Sequence, residues 1–357
     1  METQRQRGAL SQVQGRFETE ARAPFDDGWS REDEPLAPLA TTVTVERART
    51  IISRNDSPDI PFDQSINPYR GCEHGCIYCY ARPSHAYLEL SPGLDFETKL
   101  FAKTNAAELL REELAKPTYA VSPISLGANT DCYQPAERKY RITRQIVEIL
   151  AECEHPLTIV TKSALVERDI DLLAPMAAKN LVKVYVSIGT LDRVLARRLE
   201  PRAASPRRRL DVLRTLSQAG IPCGVMVAAL IPALNDKTLE QVLEEAATAG
   251  AQEAAYVILR LPNELKDIFK EWLATHYPER AEHVISIVRQ MRGGKDNDPR
   301  FGERMRGTGN FAELIARRFA IACKRFGLNG HGGGRRVPEL DCTRFVPPSP
   351  AGQMKLF

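Results

Sequence analysis

What this sequence lacks narrows its reading first. Its longest apolar stretch, Gly224–Leu234, falls well short of the ~20 residues a membrane-spanning helix needs. The opening segment, METQRQRGALSQVQGRFETE, has no apolar block, which argues against a secretory signal. Net charge is slight, +3 over 357 residues, so charge alone neither demands nor excludes a nucleic-acid partner. Cysteine is too sparse for a secreted disulfide scaffold: Cys72, Cys76 and Cys79 lie together, while Cys132, Cys153, Cys223, Cys323 and Cys342 are scattered. No internal repeat and no second Cys/His cluster is present. These absences predict a soluble protein of the reducing cytoplasm, with no membrane partner.

What is present describes a packed α/β body. Hydrophobic residues make up 43% and charged residues 27%, enough for a real core in one large domain or two small ones. Residues 1–50 are polar and poorly periodic and are expected to form a mostly disordered tail. Residues 329–357 are rich in Gly and Pro and read as an irregular tail, lying over the body. Between them, residues 51–328 alternate short apolar runs with amphipathic segments. The expected strands are Ser65–Pro68, Ser122–Gly127, Leu157–Thr161, Val182–Ile188, Cys223–Ala229 and Ala255–Leu259. The expected helices are Ala106–Ala115, Glu137–Glu152, Val166–Ala178, Arg207–Ala219, Leu239–Ala249 and Glu264–Ala274, followed by His283–Arg292 and Phe311–Phe326. Ile142, Ile146, Ile149 and Leu150 fall on one face of the second, and Gly220 with Pro222 terminates the fourth. Six strand-then-helix units require a parallel sheet, because parallel strands need crossover connections. Either a partial (β/α)6 barrel or an open doubly wound sheet satisfies the pattern. Both gather their chemistry at the C-terminal ends of the strands.

The chemistry-bearing stretch follows the first expected strand: Asn67-Pro68-Tyr69-Arg70-Gly71-Cys72-Glu73-His74-Gly75-Cys76-Ile77-Tyr78-Cys79-Tyr80. Its spacing is C-x3-C-x2-C. Thiolates are the soft ligands of iron–sulfur clusters, and Gly71 and Gly75 give the loop freedom to aim three sulfurs at one group. Three thiolates on a four-iron cube leave one iron open to an exogenous amino or carboxylate donor. Iron–sulfur potentials reach down to roughly −700 mV, low enough for reductive bond cleavage. Zinc held by the three cysteines with His74 or His85 is the competing ligand reading, and the rival function is a non-catalytic zinc or Fe–S protein that binds nucleic acid.

At these residues the chain resembles the radical S-adenosylmethionine (SAM) superfamily, whose signature is C-x3-C-x-aromatic-C, with Tyr78 at the aromatic position. It is similar in particular to the branch containing spore photoproduct lyase, over about residues 60 to 290. Tyr80 directly follows the last cysteine as in that branch. Thr130-Asp131 stands where the lyases have Ser-Asp, Thr161-Lys162 matches their Thr-Lys, Ser187 matches a strand serine, and Glu200-Pro201 resembles their FEPG segment.

The resemblance implies a partial (β/α)6 barrel and a [4Fe–4S] cluster on Cys72, Cys76 and Cys79. It implies SAM contacts from Tyr78, Thr130, Lys162 and Ser187. It further implies reductive SAM cleavage to a 5′-deoxyadenosyl radical, fed by a low-potential donor such as a flavodoxin or ferredoxin, and a substrate that is nucleic acid in the lyases. One departure stands out. The lyases carry a hydrogen-donating cysteine just before Ser-Asp, whereas this chain reads Leu126-Gly127-Ala128-Asn129-Thr130-Asp131, with Cys132 only afterwards. Cys132 is therefore an expected hydrogen donor, with Tyr80 as relay, or else a buried apolar side chain. Arg207-Arg208-Arg209 and Arg335-Arg336 are candidate phosphate grips or solvated faces.

Overall fold

The computed structural model describes residues 7–18, 39–331, 333–334 and 337–348. In chain order its strands are β1 (Thr42–Glu46), β2 (Ile52–Arg54), β3 (Gln64–Ile66), β4 (Tyr69–Arg70), β5 (Lys99–Lys103), β6 (Ile124–Leu126), β7 (Leu157–Thr161), β8 (Val182–Ser187), β9 (Cys223–Leu230) and β10 (Glu253–Ile258). Its helices are α1 (Asp95–Thr98), α2 (Ala106–Leu114), α3 (Glu137–Tyr140), α4 (Ile142–Glu152), α5 (Ile170–Ala178), α6 (Arg193–Leu199), α7 (Pro206–Gln218), α8 (Leu239–Thr248), α9 (Leu265–His276), α10 (Pro278–Gln290) and α11 (Gly309–Phe326). Among the described residues no helix is long and apolar enough to cross a membrane.

Strand order decides between the two architectures left open by the sequence. The main sheet runs β10-β9-β8-β7-β6-β3-β2. All pairings from β3 to β10 are parallel, and β2 adds antiparallel to the edge. From β3 onward each strand lies beside its sequence neighbour, with no reversal of order. A doubly wound sheet requires such a reversal. The winding is therefore that of a partial (β/α)6 barrel, open between its edges.

Alternation along the strands separates two faces. Ile124, Leu126, Leu157, Ile159, Val182, Val184, Val186, Val225 and Val227 are fully or almost fully buried and join Ile146, Val147, Leu150, Leu173, Leu213, Leu216 and Leu243 of the helices in the main core. Each such aliphatic side chain contributes about 1.5–3 kcal/mol on burial. The opposite face is polar at its base: Lys183 Nζ lies 3.2 Å from Glu253, whose carboxylate also accepts the Tyr185 hydroxyl. Gly224 makes room there, since a Cβ would stand 2.8 Å from the Tyr185 ring.

Two local expectations are corrected. The expected helix Glu137–Glu152 is two helices, broken at Arg141, which takes a left-handed φ of 51°. The break lets the Glu137 carboxylate accept the Thr143 N–H at 2.9 Å and the Arg144 N–H at 3.2 Å, capping α4. The other correction concerns the expected tail of residues 1–50, whose described parts pack on the body. β1 pairs with β5, and β5 with β4, in a small second sheet. Residues 7–9 are held by Glu97, as described below. Period-based reading misses such segments because their polar groups are satisfied by distant partners. At the other end, Asp341 N–H donates to the Asn180 carbonyl and Val346 N–H to that of Cys153, both at 2.9 Å. Arg335 and Arg336 lie outside the described residues.

Candidate active site

The cysteine loop leaves β4 at the C-terminal side of the main sheet. Gly71 and Gly75 have φ of 74° and 65°, and neither has room for a side chain: a Cβ would meet Leu100 at 2.6 Å and Glu97 at 2.5 Å, respectively. Chain contacts fix the curl. Cys72 N–H donates to Phe96 O at 2.9 Å, Ile77 N–H to Leu199 O at 2.9 Å and Cys79 N–H to Cys76 O at 3.2 Å. Gln134 bridges the start of the loop, accepting the Glu73 N–H and donating to Gly71 O, both at 3.0 Å.

The fully buried Arg82 organises the rest of the loop. Its Nε donates to Cys76 O at 2.9 Å and Nη1 donates to Pro92 O and Gly93 O. Nη2 donates to Gly75 O at 3.0 Å and to the Glu97 carboxylate. All five guanidinium N–H groups are thus used. Glu97 in turn accepts the N–H groups of Gly8 and Ala9, each at 2.8 Å, and its carbonyl accepts Arg7 Nη1 at 3.0 Å. The N-terminal segment is consequently laid directly against the loop.

Cys72, Cys76 and Cys79 are electrostatic neighbours. Burial pushes the Cys72 thiol up, and Asp131, Cys76 and Cys79 push it further; burial lifts Cys76 to about 12. Thiols held close together at such a cost suit an electrophilic metal group that takes them as thiolates. Among the described residues no three Cys, His, Asp or Glu side chains converge on a single ion. Among the described residues neither His74 nor His85 joins the cysteines at a single-ion site. His85 Nε2 is 2.9 Å from Lys99 O, with its ring against Phe96. His74 Nδ1 lies 3.2 Å from Asp131 without hydrogen-bond alignment. Three thiols without a fourth protein ligand fit a cluster with one open metal position.

Beside the loop stands a buried polar assembly. The Tyr78 hydroxyl donates to Glu200, whose other oxygen accepts Arg209 Nη2. Arg209 Nη1 donates to Ser187 O at 2.8 Å. Lys162 Nζ lies 5.9 Å from the centre of the Tyr78 ring. Burial opposes the Lys162 charge, but Cys76, Glu200 and Asp131 outweigh it and raise its pKa. Asp131 accepts Lys162 N–H at 2.7 Å and the Thr161 hydroxyl at 2.7 Å. Burial alone would raise the pKa of Asp131; His74 and these donors bring it down to about 2. The Thr130 hydroxyl donates to Tyr69 O at 2.8 Å. Tyr78, Lys162 and Ser187 are thus gathered around the loop, and Thr130 lies at its base through Tyr69.

Tyr80 and Cys132 part company. Tyr80 is half exposed, its hydroxyl donating to Ala128 O, with the Arg260 guanidinium 5.7 Å over its ring. Cys132 is fully buried in the main core with Tyr69, Ile142 and Ile146, and its thiol is pushed up by burial. Its burial favours the packing alternative over the hydrogen-donor one. Sequence reasoning missed Arg82, Arg209 and Arg260. Arg209 was hidden in an arginine run whose other members differ from it: Arg207 is exposed and Arg208 pairs with Glu167, while Arg209 is buried. Ser205, the N-cap of α7, was the available signal, because it sets which arginine points inward.

A family model described as the radical SAM superfamily matches residues 66–246. An uncharacterized protein of Mycobacterium tuberculosis is 39% identical over 261 residues, covering 72% of this chain and 75% of its own. An uncharacterized protein of Methanocaldococcus jannaschii is 29% identical over 220 residues, covering 61% of this chain and 78% of its own. A solved structure of spore photoproduct lyase complexed with dinucleoside spore photoproduct is 17% identical, with 80% of both chains covered and a TM-score of 0.59. That likeness is one of fold.

Proposed function

This chain belongs to the radical SAM superfamily, and from that premise we propose that it cleaves SAM reductively and uses the resulting radical to take hydrogen from a substrate at the barrel mouth. The observation that carries the reading is the set of three neighbouring thiols, without a fourth protein ligand, at the C-terminal ends of a singly wound parallel sheet. A [4Fe–4S] cluster on Cys72, Cys76 and Cys79 would supply one electron to the SAM sulfonium, breaking its bond to C5′ and releasing methionine and a 5′-deoxyadenosyl radical.

The chain's own groups divide the remaining work. Lys162, held charged, offers a point charge to the SAM carboxylate. Thr130 spends its proton on Tyr69 O, so its lone pairs suit an ammonium donor. Ser187 spends its carbonyl on Arg209, leaving its hydroxyl for a ribose. Glu200 takes the Tyr78 hydroxyl, so Tyr78 presents its ring. Tyr80, with an O–H at the mouth and no cysteine in the Leu126–Asn129 stretch beside it, serves as the relay of hydrogen to or from the substrate radical. The electron comes from a low-potential carrier.

For the substrate we propose a nucleic acid. Arg260 supports this: it follows β10 at the mouth, its Nε is buried without a partner, and it makes no ion pair among the described residues. A phosphate would satisfy it.

The test is anaerobic. Each of Cys72→Ala, Cys76→Ala and Cys79→Ala should lose iron; full iron loading in all three overturns the reading. Lys162→Ala and Ser187→Ala should keep the iron and weaken SAM binding about ten- to hundred-fold. Deuterium passing from labelled DNA into 5′-deoxyadenosine would identify the substrate class.

A further inference from the structure

A recess lies against the cysteine loop. It encloses about 510 Å³, and its lining includes His74, Tyr133, Arg138, Ser163, Arg202 and Arg208. That volume is within the range of real binding sites. No carboxylate lines it, and none of Tyr78, Thr130, Lys162 or Ser187 takes part. Two of its three arginines are incompletely satisfied, while Arg208 is paired through both Nη atoms with Glu167. Arg138 is exposed and makes no ion pair among the described residues. Arg202 reaches Glu73 at 3.1 Å through Nη2, but its buried Nε has no hydrogen-bond partner. Arg208 is shared with Glu167, and Arg207 is exposed beside it on the first turn of α7. Such a recess calls for an anion.

The place of the recess says which anion. His74, in its wall, stands two residues from both Cys72 and Cys76, and its carbonyl accepts the Arg202 N–H at 3.3 Å. An occupant therefore touches the cysteine loop without touching the four side chains expected to hold SAM. A substrate has to reach the mouth; a supplier of electrons needs only the loop. We propose that this recess is the docking site of an acidic one-electron carrier protein, whose carboxylates pair with Arg138, Arg202 and Arg208. The inference rests on the reading of the cysteine loop as a redox centre. One electron passes: the carrier is oxidised, the thiolate-held group is reduced, and no bond or proton moves. Complementary charge of this kind speeds encounter and makes binding sensitive to salt. A nucleic acid would instead be served by cations strung along a surface stripe. Here they converge on one recess.

The experiment measures binding, not turnover. Full-length reconstituted protein is titrated calorimetrically with a flavodoxin and, separately, with an acidic ferredoxin, at low and high salt. The expected result is binding of at least one carrier that weakens with salt. In Arg138→Glu and in Arg208→Gln that binding should weaken on the order of ten-fold, with iron content unchanged. Dithionite-driven SAM cleavage, which needs no protein carrier, should stay the same in both variants. If dithionite supports no cleavage in the unaltered protein, the functional reading fails and the docking inference falls with it. If cleavage proceeds but neither carrier binds, or both variants bind as tightly as the unaltered protein, the docking inference alone is overturned. Binding of a single-stranded oligonucleotide that is lost in Arg138→Glu while carrier binding persists assigns the recess to nucleic acid and overturns it as well.

Discussion

At the scale of single residues, the cysteine loop depends on buried charges held by named partners. Arg82 is the clearest case. Its five N–H groups meet four carbonyls and the Glu97 carboxylate, and two of those carbonyls belong to Gly75 and Cys76 of the loop itself. A lysine keeps the charge but offers three donors from one point instead of a planar fork. Arg82→Lys should therefore lower iron occupancy after reconstitution and destabilise the protein by about 3 kcal/mol, although all three cysteines remain. Full iron loading with unchanged stability in chemical denaturation would show the fork to be dispensable. Cys132 gives the opposite expectation. It is closed in by core side chains, so Cys132→Ala should cost on the order of 1 kcal/mol and leave both SAM cleavage and product identity as they were. An altered product from this variant would return Cys132 to the chemistry.

At the scale of elements, the N-terminal segment covers the loop. A Cβ on Gly8 would stand 1.8 Å from Gly75 O, so this strand of chain fits only without a side chain there. Gly8→Val should push residues 7–9 off Glu97, expose the loop and speed iron release to a chelator several-fold, with SAM contacts intact. An unchanged release rate would mean that the segment covers nothing that matters. The same contact shows the limit of the sequence. The six core strands and most helices were legible, because alternation and 3.6-residue periodicity are written locally by apolar residues such as Ile142, Ile146 and Ile149. The loop cysteines were legible because their ligand chemistry demands close spacing. Glu97 and Gly8 were not, because each is explained by a partner far along the chain: they are 89 residues apart. Arg82 and Arg209 were not, because their partners are backbone carbonyls and single carboxylates that no apolar period marks. The break at Arg141 was hidden for a related reason, since it answers to where the Glu137 carboxylate has to point.

At the scale of the whole molecule, the two ends of the strands have different tasks. The cysteine loop, Tyr78, Lys162 and Ser187 occupy the C-terminal ends, and the C-terminal segment of the chain closes the other. There the ring of Phe345 lies edge-on to His155 at 5.3 Å, just before β7. His155 is fully buried, its Nδ1 2.9 Å from Pro156 O and its Nε2 2.7 Å from the Tyr119 hydroxyl. Burial depresses its pKa to about 4, with the Pro156 carbonyl pulling weakly the other way. An unfolded histidine titrates near 6.5, so between those values the unfolded chain binds the extra proton. The stability contributed by neutral His155 is therefore complete above about pH 6.5 and is lost as pH falls toward 4. A gap of this size corresponds to about 3 kcal/mol. Urea denaturation of the unaltered protein should show stability falling across that window. His155→Gln, which cannot take up a proton, should be less stable at pH 7 and lose correspondingly less between pH 6.5 and 4. Dithionite-driven SAM cleavage at pH 7.5 should be the same in both proteins, because the substitution lies at the end of the barrel away from the chemistry. Equal pH dependence in the two proteins would mean that the clasp around His155 opens before the ring is charged.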